Sequence, residues 1–301
     1  MTRTLFVLAG LWLAAPAAEA GFTIVLDFKP AGSPTTLALT GDRVGAFNVA
    51  AYGFSLGQYN AVVNSILTEV RDTYYNIPTV GVDSRSPIPN GKQLDIDFIL
   101  GTIGQLPSNN ALEYYYVQVG VGVSGPFVNS SLGVAVGSAV RNSDGTDGNA
   151  SIGDVVASIF TEEINTLGGL TPSNALTSGN LGFTTYAIAG TTSHEIAHTL
   201  SLSHIAVAGS FQPFGLRPVM GTGAIDLPNN DRLSRRAFSY SGLDAQDGNA
   251  PREQVQQLVN AVGLRDTPVV VPVPASILLA GVGAGFFAAA RVRRGRAALA
   301  A

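Results

Sequence analysis

His194-Glu195-Ile196-Ala197-His198-Thr199-Leu200-Ser201-Leu202-Ser203-His204 holds every histidine of the 301-residue chain. On a helix, side chains four residues apart leave the same face, so the imidazoles of His194 and His198 can close on a single ion. Glu195 projects about 100° around the axis from His194 and can reach a water held at an open position of that ion. A helix continued to residue 204 would carry His204 about 15 Å along the axis from His194, beyond ligand distance. The chain therefore has to reverse near Ser201 if His204 is to join the other two. The plainer reading is a buried amphipathic helix whose histidines serve only as hydrogen-bond partners.

Upstream of this stretch the pattern mixes strands and helices. Ile24, Leu26 and Phe28 share one face of an expected strand over Thr23–Phe28. From Leu56 to Tyr75 the apolar residues Tyr59, Val62, Val63, Ile66, Leu67, Val70 and Tyr74 recur at helical spacing behind a capping Ser55. Alternation predicts strands over Leu94–Leu100 and Val117–Val123, with Gly133–Val140 a further candidate. Ser151 and Asp154 form a capping-box pattern before Val155, Val156, Ile159, Phe160 and Ile164, which predicts a helix. Near the end, Pro251 at a helix start, Val255, Leu258, Val259 and Val262 on one face, and Gly263 at the stop describe a closing helix. The class is α+β or α/β. The glycines from Val119 to Gly125 do not make a nucleotide-binding turn, because Pro126 and Asn129-Ser130-Ser131 block the helix that must follow.

Both ends read as addresses. Arg3, an apolar run from Leu5 to Ala15, Pro16, and Ala18-Glu19-Ala20 make a signal peptide over residues 1–20, with maturation near Gly21. Residues 267 to 290 are uncharged, and the apolar stretch about 275–290 precedes Arg291, Arg293, Arg294 and Arg296. That is a short spanning segment with a basic stop at 291–296, which leaves everything upstream on the far side of the membrane. Removing Arg3, the four tail arginines and Glu19 from the 17 basic and 21 acidic residues leaves 12 and 20, a formal net charge of −8. Such a surface repels phosphate backbones and excludes nucleic acid as a partner. The absence of cysteine excludes thiol catalysis, cysteine ligands and disulfides, so packing has to hold the body together, with or without the help of metal ions.

The tail resembles the bacterial PEP-CTERM sorting signal: a Pro-containing motif (here Val271-Pro272-Val273-Pro274-Ala275-Ser276), a marginal apolar helix and an arginine cluster. Val273 stands where that family most often has Glu. The resemblance implies a Gram-negative cell envelope, surface or matrix, and an exosortase-type enzyme acting on residues 267–301. An ordinary single-pass anchor is the alternative.

The histidine stretch resembles the metzincin metallopeptidase pattern HExxHxxGxxH. The three histidines and the glutamate match residue by residue, and Ser201 replaces the Gly, a left-handed turn at Ser costing on the order of 1 kcal/mol more. Pro218-Val219-Met220-Gly221 supplies the methionine-containing turn of that family at Met220. Thr222 occupies the position of a tyrosine found in astacins and serralysins, so the chain is more similar to the matrixins. The resemblance implies a two-lobed α+β catalytic domain over residues 21–266 with a twisted mixed sheet, an active-site helix and a C-terminal helix, the upper lobe about 21–203 and the lower about 204–266. It implies zinc on His194, His198 and His204, Glu195 as general base, and a peptide bound as an added strand at a sheet edge. Two other third ligands fit less well: Glu253, the only Glu after the motif, and Asp226, which misses a GTxxD spacing by one residue. Tyr186 and Tyr240 are helper candidates by proximity in sequence alone.

Asn142, Asp144, Asp147, Asn149 and Asp154 form an oxygen-rich cluster interleaved with Gly that reads as a solvated turn, with structural calcium as the alternative, although the spacing does not fit an EF-hand. The expected activity is metal-assisted hydrolysis of peptide bonds. The competing expectation is a non-catalytic structural or adhesive envelope protein on a degenerate peptidase fold, kept open by Ser201.

Overall fold

A computed structural model of the chain describes residues 21–30, 36–37, 43–105, 113–124, 131–137, 139, 150–206, 215–221, 227–243 and 251–268. The signal peptide, the sorting tail and the cluster from Asn142 to Asn149 lie outside the described residues, as do Thr222 and Asp226. Among the described residues no helix is long and apolar enough to cross a membrane.

Five strands build the central sheet: β1 (Phe22–Phe28), β2 (Ile96–Leu100), β3 (Tyr114–Gly120), β4 (Gly133–Ala135) and β5 (Val155–Phe160). Their order is β2-β1-β3-β5-β4. The first four in that order run parallel, and β4 alone is antiparallel, pairing Gly133 with Ile159 and Ala135 with Ala157. Two helices, α1 (Tyr59–Tyr75) and α3 (Leu181–Thr199), pack on the sheet and on each other, and a short α2 (Thr161–Asn165) follows β5 directly. The fold is therefore α+β, with a mixed sheet covered by α1 and α3.

The sequence periodicity explains this packing. Ile24, Leu26 and Phe28 of β1 join Phe98, Val117, Val119 and Ile159 in one apolar cluster with Val62, Ile66, Val70 and Tyr74 of α1 and Ile188 and Ile196 of α3. Each fully buried aliphatic or aromatic side chain contributes about 1.5–3 kcal/mol, so truncating Ile66 or Ile188 opens a cavity at the α1–α3 seam. Tyr74 fixes that seam with a polar contact, its hydroxyl donating to Ser193 O at 3.0 Å. Asn180 starts α3 as an N-cap, accepting from Phe183 N–H at 3.2 Å.

Several expectations need correction. Val155–Phe160 is a strand, not a helix, and all six residues are buried because β5 lies inside the sheet with its faces covered. Apolar runs of that length fit either period, and the Ser151/Asp154 pattern closes a turn instead, Ser151 N–H donating to Asp154 Oδ2 at 2.8 Å. The segment Leu94–Leu100 is broken at Asp95, whose N–H turns away to Gly263 O at 3.1 Å. Lys92–Leu94 then pairs with Leu264–Asp266, while β2 pairs with β1. Val117–Val123 is split in the same way, β3 ending at Gly120 and Gly122–Ser124 pairing with Arg43–Val44. In the 133–140 stretch the strand ends at Ala135. The closing helix, α4 (Gln254–Val262), begins after Pro251, which sits in a two-residue strand paired with Gly242–Leu243; Gly263 ends the helix at φ = 78°.

Candidate metal centre

Helix α3 supplies His194 and His198 from its last turns, and its termination supplies the bend. Ser201 adopts φ = 66°, the only described residue other than Gly with positive φ. Around it, Leu202 N–H bonds Ala197 O and Ser201 N–H bonds His198 O, both at 3.0 Å. These are the paired bonds of a Schellman cap, with Ser201 in the left-handed position that Gly usually fills. Leu202, directly after it, is buried with Ile196, which adds the apolar contact of that motif.

The bend returns His204 to the helix. The Nε2 atoms of His194 and His204 are 3.1 Å apart, those of His198 and His194 3.1 Å, and those of His198 and His204 3.0 Å. The three histidines form a group able to hold one metal ion. Tetrahedral zinc with Zn–N bonds of about 2.0–2.1 Å separates its nitrogens by only a few tenths of an ångström more. The donor chemistry fits as well. His194 Nδ1 donates to Val219 O at 2.7 Å and His198 Nδ1 donates to Leu202 O at 2.8 Å, so a neutral ring at either position keeps its Nε2 lone pair for the centre. Burial first, and then the charges of neighbouring groups, hold both imidazoles below the usual histidine range. Three lone pairs converging at this distance repel one another unless a cation lies between them, and that is the observation favouring a metal over a plain hydrogen-bonded cluster.

The turn Pro218–Gly221 backs the centre. Gly221 N–H closes it onto Pro218 O at 3.3 Å, Val219 N–H bonds Ala237 O at 2.9 Å, and Ile205 N–H bonds Met220 O at 3.1 Å. Val219 and Met220 are inaccessible to solvent. One tight turn thus orients His194 through Val219 O and ties down the chain immediately after His204.

Glu195 faces the edge of the sheet. Burial pushes its carboxyl up to about 8, opposed by a hydrogen bond from the Ala135 backbone. Gly133 on the same strand leaves room for the side chain: a β-carbon there would lie 2.7 Å from Glu195 Cγ and 3.1 Å from Oε1. Strand β4 therefore shapes the place of Glu195 twice, by a donor at Ala135 and by a missing side chain at Gly133. Neither residue carries a signal in the sequence that pairs it with Glu195, since the contact follows from β4 pairing with β5. Val219 O and Leu202 O are equally silent as histidine partners, although Val219 belongs to the quoted methionine turn.

Tyr186 lies about 12 Å along the helix axis before His194 and lines a groove of roughly 450 Å³ between α1 and α3. Tyr240 is buried with Arg85 over its ring at 5.5 Å. Glu253 is the residue preceding α4. No protein-family model matches the chain, and no curated protein matches it significantly.

Proposed function

We propose that the chain is an exported zinc-dependent endopeptidase of the metzincin class, closest in pattern to the matrixins. The convergence of the three Nε2 atoms carries this reading. Zinc supplies Lewis acidity there and lowers the pKa of a bound water to near 7. His194, His198 and His204 would hold the ion as neutral ligands, leaving its full charge available. Glu195, steadied by Ala135 N–H, takes up the proton of the attacking water at its carboxylate and passes it to the leaving amine. Met220 serves as the turn methionine beneath the ligands. Strand β4, bonded in the sheet only to β5 among the described residues, offers its outer side to an extended peptide, next to Glu195. In this reading residues 21–203 and 204–266 are the two lobes of the catalytic domain, residues 1–20 direct export, and the tail over 267–301 is a substrate for a sorting enzyme at the envelope.

The left-handed backbone at Ser201 bears on the competing non-catalytic reading, because the departure from Gly leaves the ligand geometry intact. Metal analysis of the wild type and Glu195→Gln, with cleavage of an unfolded generic protein followed in parallel, separates the two. One zinc per chain in both proteins with hydrolysis confined to the wild type supports the peptidase. Absence of bound metal, or equal hydrolysis by the variant, rejects it.

A further inference from the structure

Arg236 carries a charge for which the described fold supplies no counter-ion. It is 5% exposed, and its Nε and Nη2 meet no acceptor. The guanidinium lies against Gly190 of α3, one helical turn before His194, and a β-carbon at 190 would collide with it. The glycine is therefore the accommodation that α3 makes for this side chain, at a cost of about 1 kcal/mol relative to Ala.

A second arginine repeats the situation. Arg232, on the turn Asn229–Leu233 that packs on α3, is partly buried and its Nε is unpartnered. Burial lowers both guanidinium pKa values, Arg236 to about 9, and the charge of Arg232 acts on Arg236 in the same direction. No carboxylate among the described residues opposes either shift. Asp231, the acid nearest in sequence, is committed to Arg217, with Oδ2 2.6 Å from Nε. On the α3 side, Thr191 spends its hydroxyl on Ala187 O, and His194 is held toward its neutral form.

An unpaired buried charge costs several kcal/mol, and arginine cannot readily shed its proton to escape that cost. The charge of the partly buried Arg232 repels that of Arg236 as well. Balance requires an anion, and the enclosure of Arg236 favours one that is small, singly charged and able to accept several N–H bonds at once. We propose that Arg236 and Arg232 form a binding site for one small inorganic anion of the halide class, behind the His194 side of the metal centre.

The test uses the metal-loaded full chain. Its thermal midpoint is measured in sodium chloride and in sodium gluconate at equal ionic strength, and crystals soaked in bromide are measured for anomalous scattering. A saturable rise of several degrees in chloride, abolished in Arg236→Met and weakened in Arg232→Met, with a bromide peak between the two guanidinium groups, is the expected result. If Arg236→Met does not fold, the wild-type titration and the bromide peak decide alone. Equal midpoints in the two salts, or bromide found on the metal and absent from the arginines, overturns the proposal.

Discussion

His198 donates from Nδ1 to Leu202 O at 2.8 Å across the bend that Ser201 makes, so one imidazole of the group is oriented by the reversal that delivers another. Ser201→Gly relieves about 1 kcal/mol of left-handed strain, offset by roughly 0.5–1 kcal/mol of added freedom in the unfolded chain. Stability should stay within about 1 kcal/mol of wild type, with zinc stoichiometry unchanged. A β-branched residue has no comparable access to that backbone region. Ser201→Val should cost about 1–3 kcal/mol and weaken metal binding. Denaturant unfolding with a zinc competition assay reads both, and a Val variant of unaltered stability and affinity would show that the cap does not set the site.

Glu195 couples folding to pH. Its carboxyl, raised to about 8, favours the metal-free fold most below the ordinary glutamate range and loses that contribution as pH climbs from about 4.3 through 8. Glu195→Gln has no such dependence at this position. Measured without metal, its stability advantage over wild type should therefore grow across that interval, reaching on the order of 1–3 kcal/mol. A constant gap between the two proteins from pH 5 to 8 contradicts the burial of this carboxyl as the cause.

The three-histidine group was legible because its residues are local: two histidines four apart share a helix face, and a reversal near Ser201 is what lets His204 join them. The element types were legible where one face is buried, as in α1, with its stripe from Val62 to Tyr74. They failed where an apolar run shows no clean alternation in the sequence. Val155–Phe160 has no exposed face to reveal its period, and only the pairing of β5 with β3 and β4 makes it a strand. Asp95 and Val121 interrupt alternating runs because their neighbours change partners, which a period cannot announce. The support from Gly133, Ala135 and Arg236 is likewise tertiary, and each of these residues reads in sequence as ordinary strand or surface material.

Chelation should show how far the fold depends on a metal at the three histidines. The converging nitrogens cost free energy when no cation lies between them, and a ligand bound only by the folded state stabilises by about 2.7 kcal/mol at a hundredfold excess over its Kd. Thermal midpoints with saturating zinc and with a strong chelator should differ by several degrees in wild type. His204→Ala should shrink that difference, since His194 and His198 remain but the third corner is lost. Retention of the full difference in that variant would place the third ligand elsewhere.

Gly133 offers a sharp test of how the sheet edge governs Glu195. A methyl at this position lands 2.7 Å from Glu195 Cγ, closer than β-carbons approach in folded proteins, and the surrounding backbone of β4 is fixed by its ladder to β5. The glutamate stem has to yield, moving its carboxylate away from Ala135 N–H and, under the proposed function, from the water it would activate. Misplacement of a general base by this amount lowers turnover by about 10²-fold. The histidines occupy other positions on the helix, so zinc content in Gly133→Ala should match wild type and KM for a peptide should change little while kcat falls. A variant that loses metal and activity together, or keeps full turnover, would mean that the strand edge does not position this carboxylate.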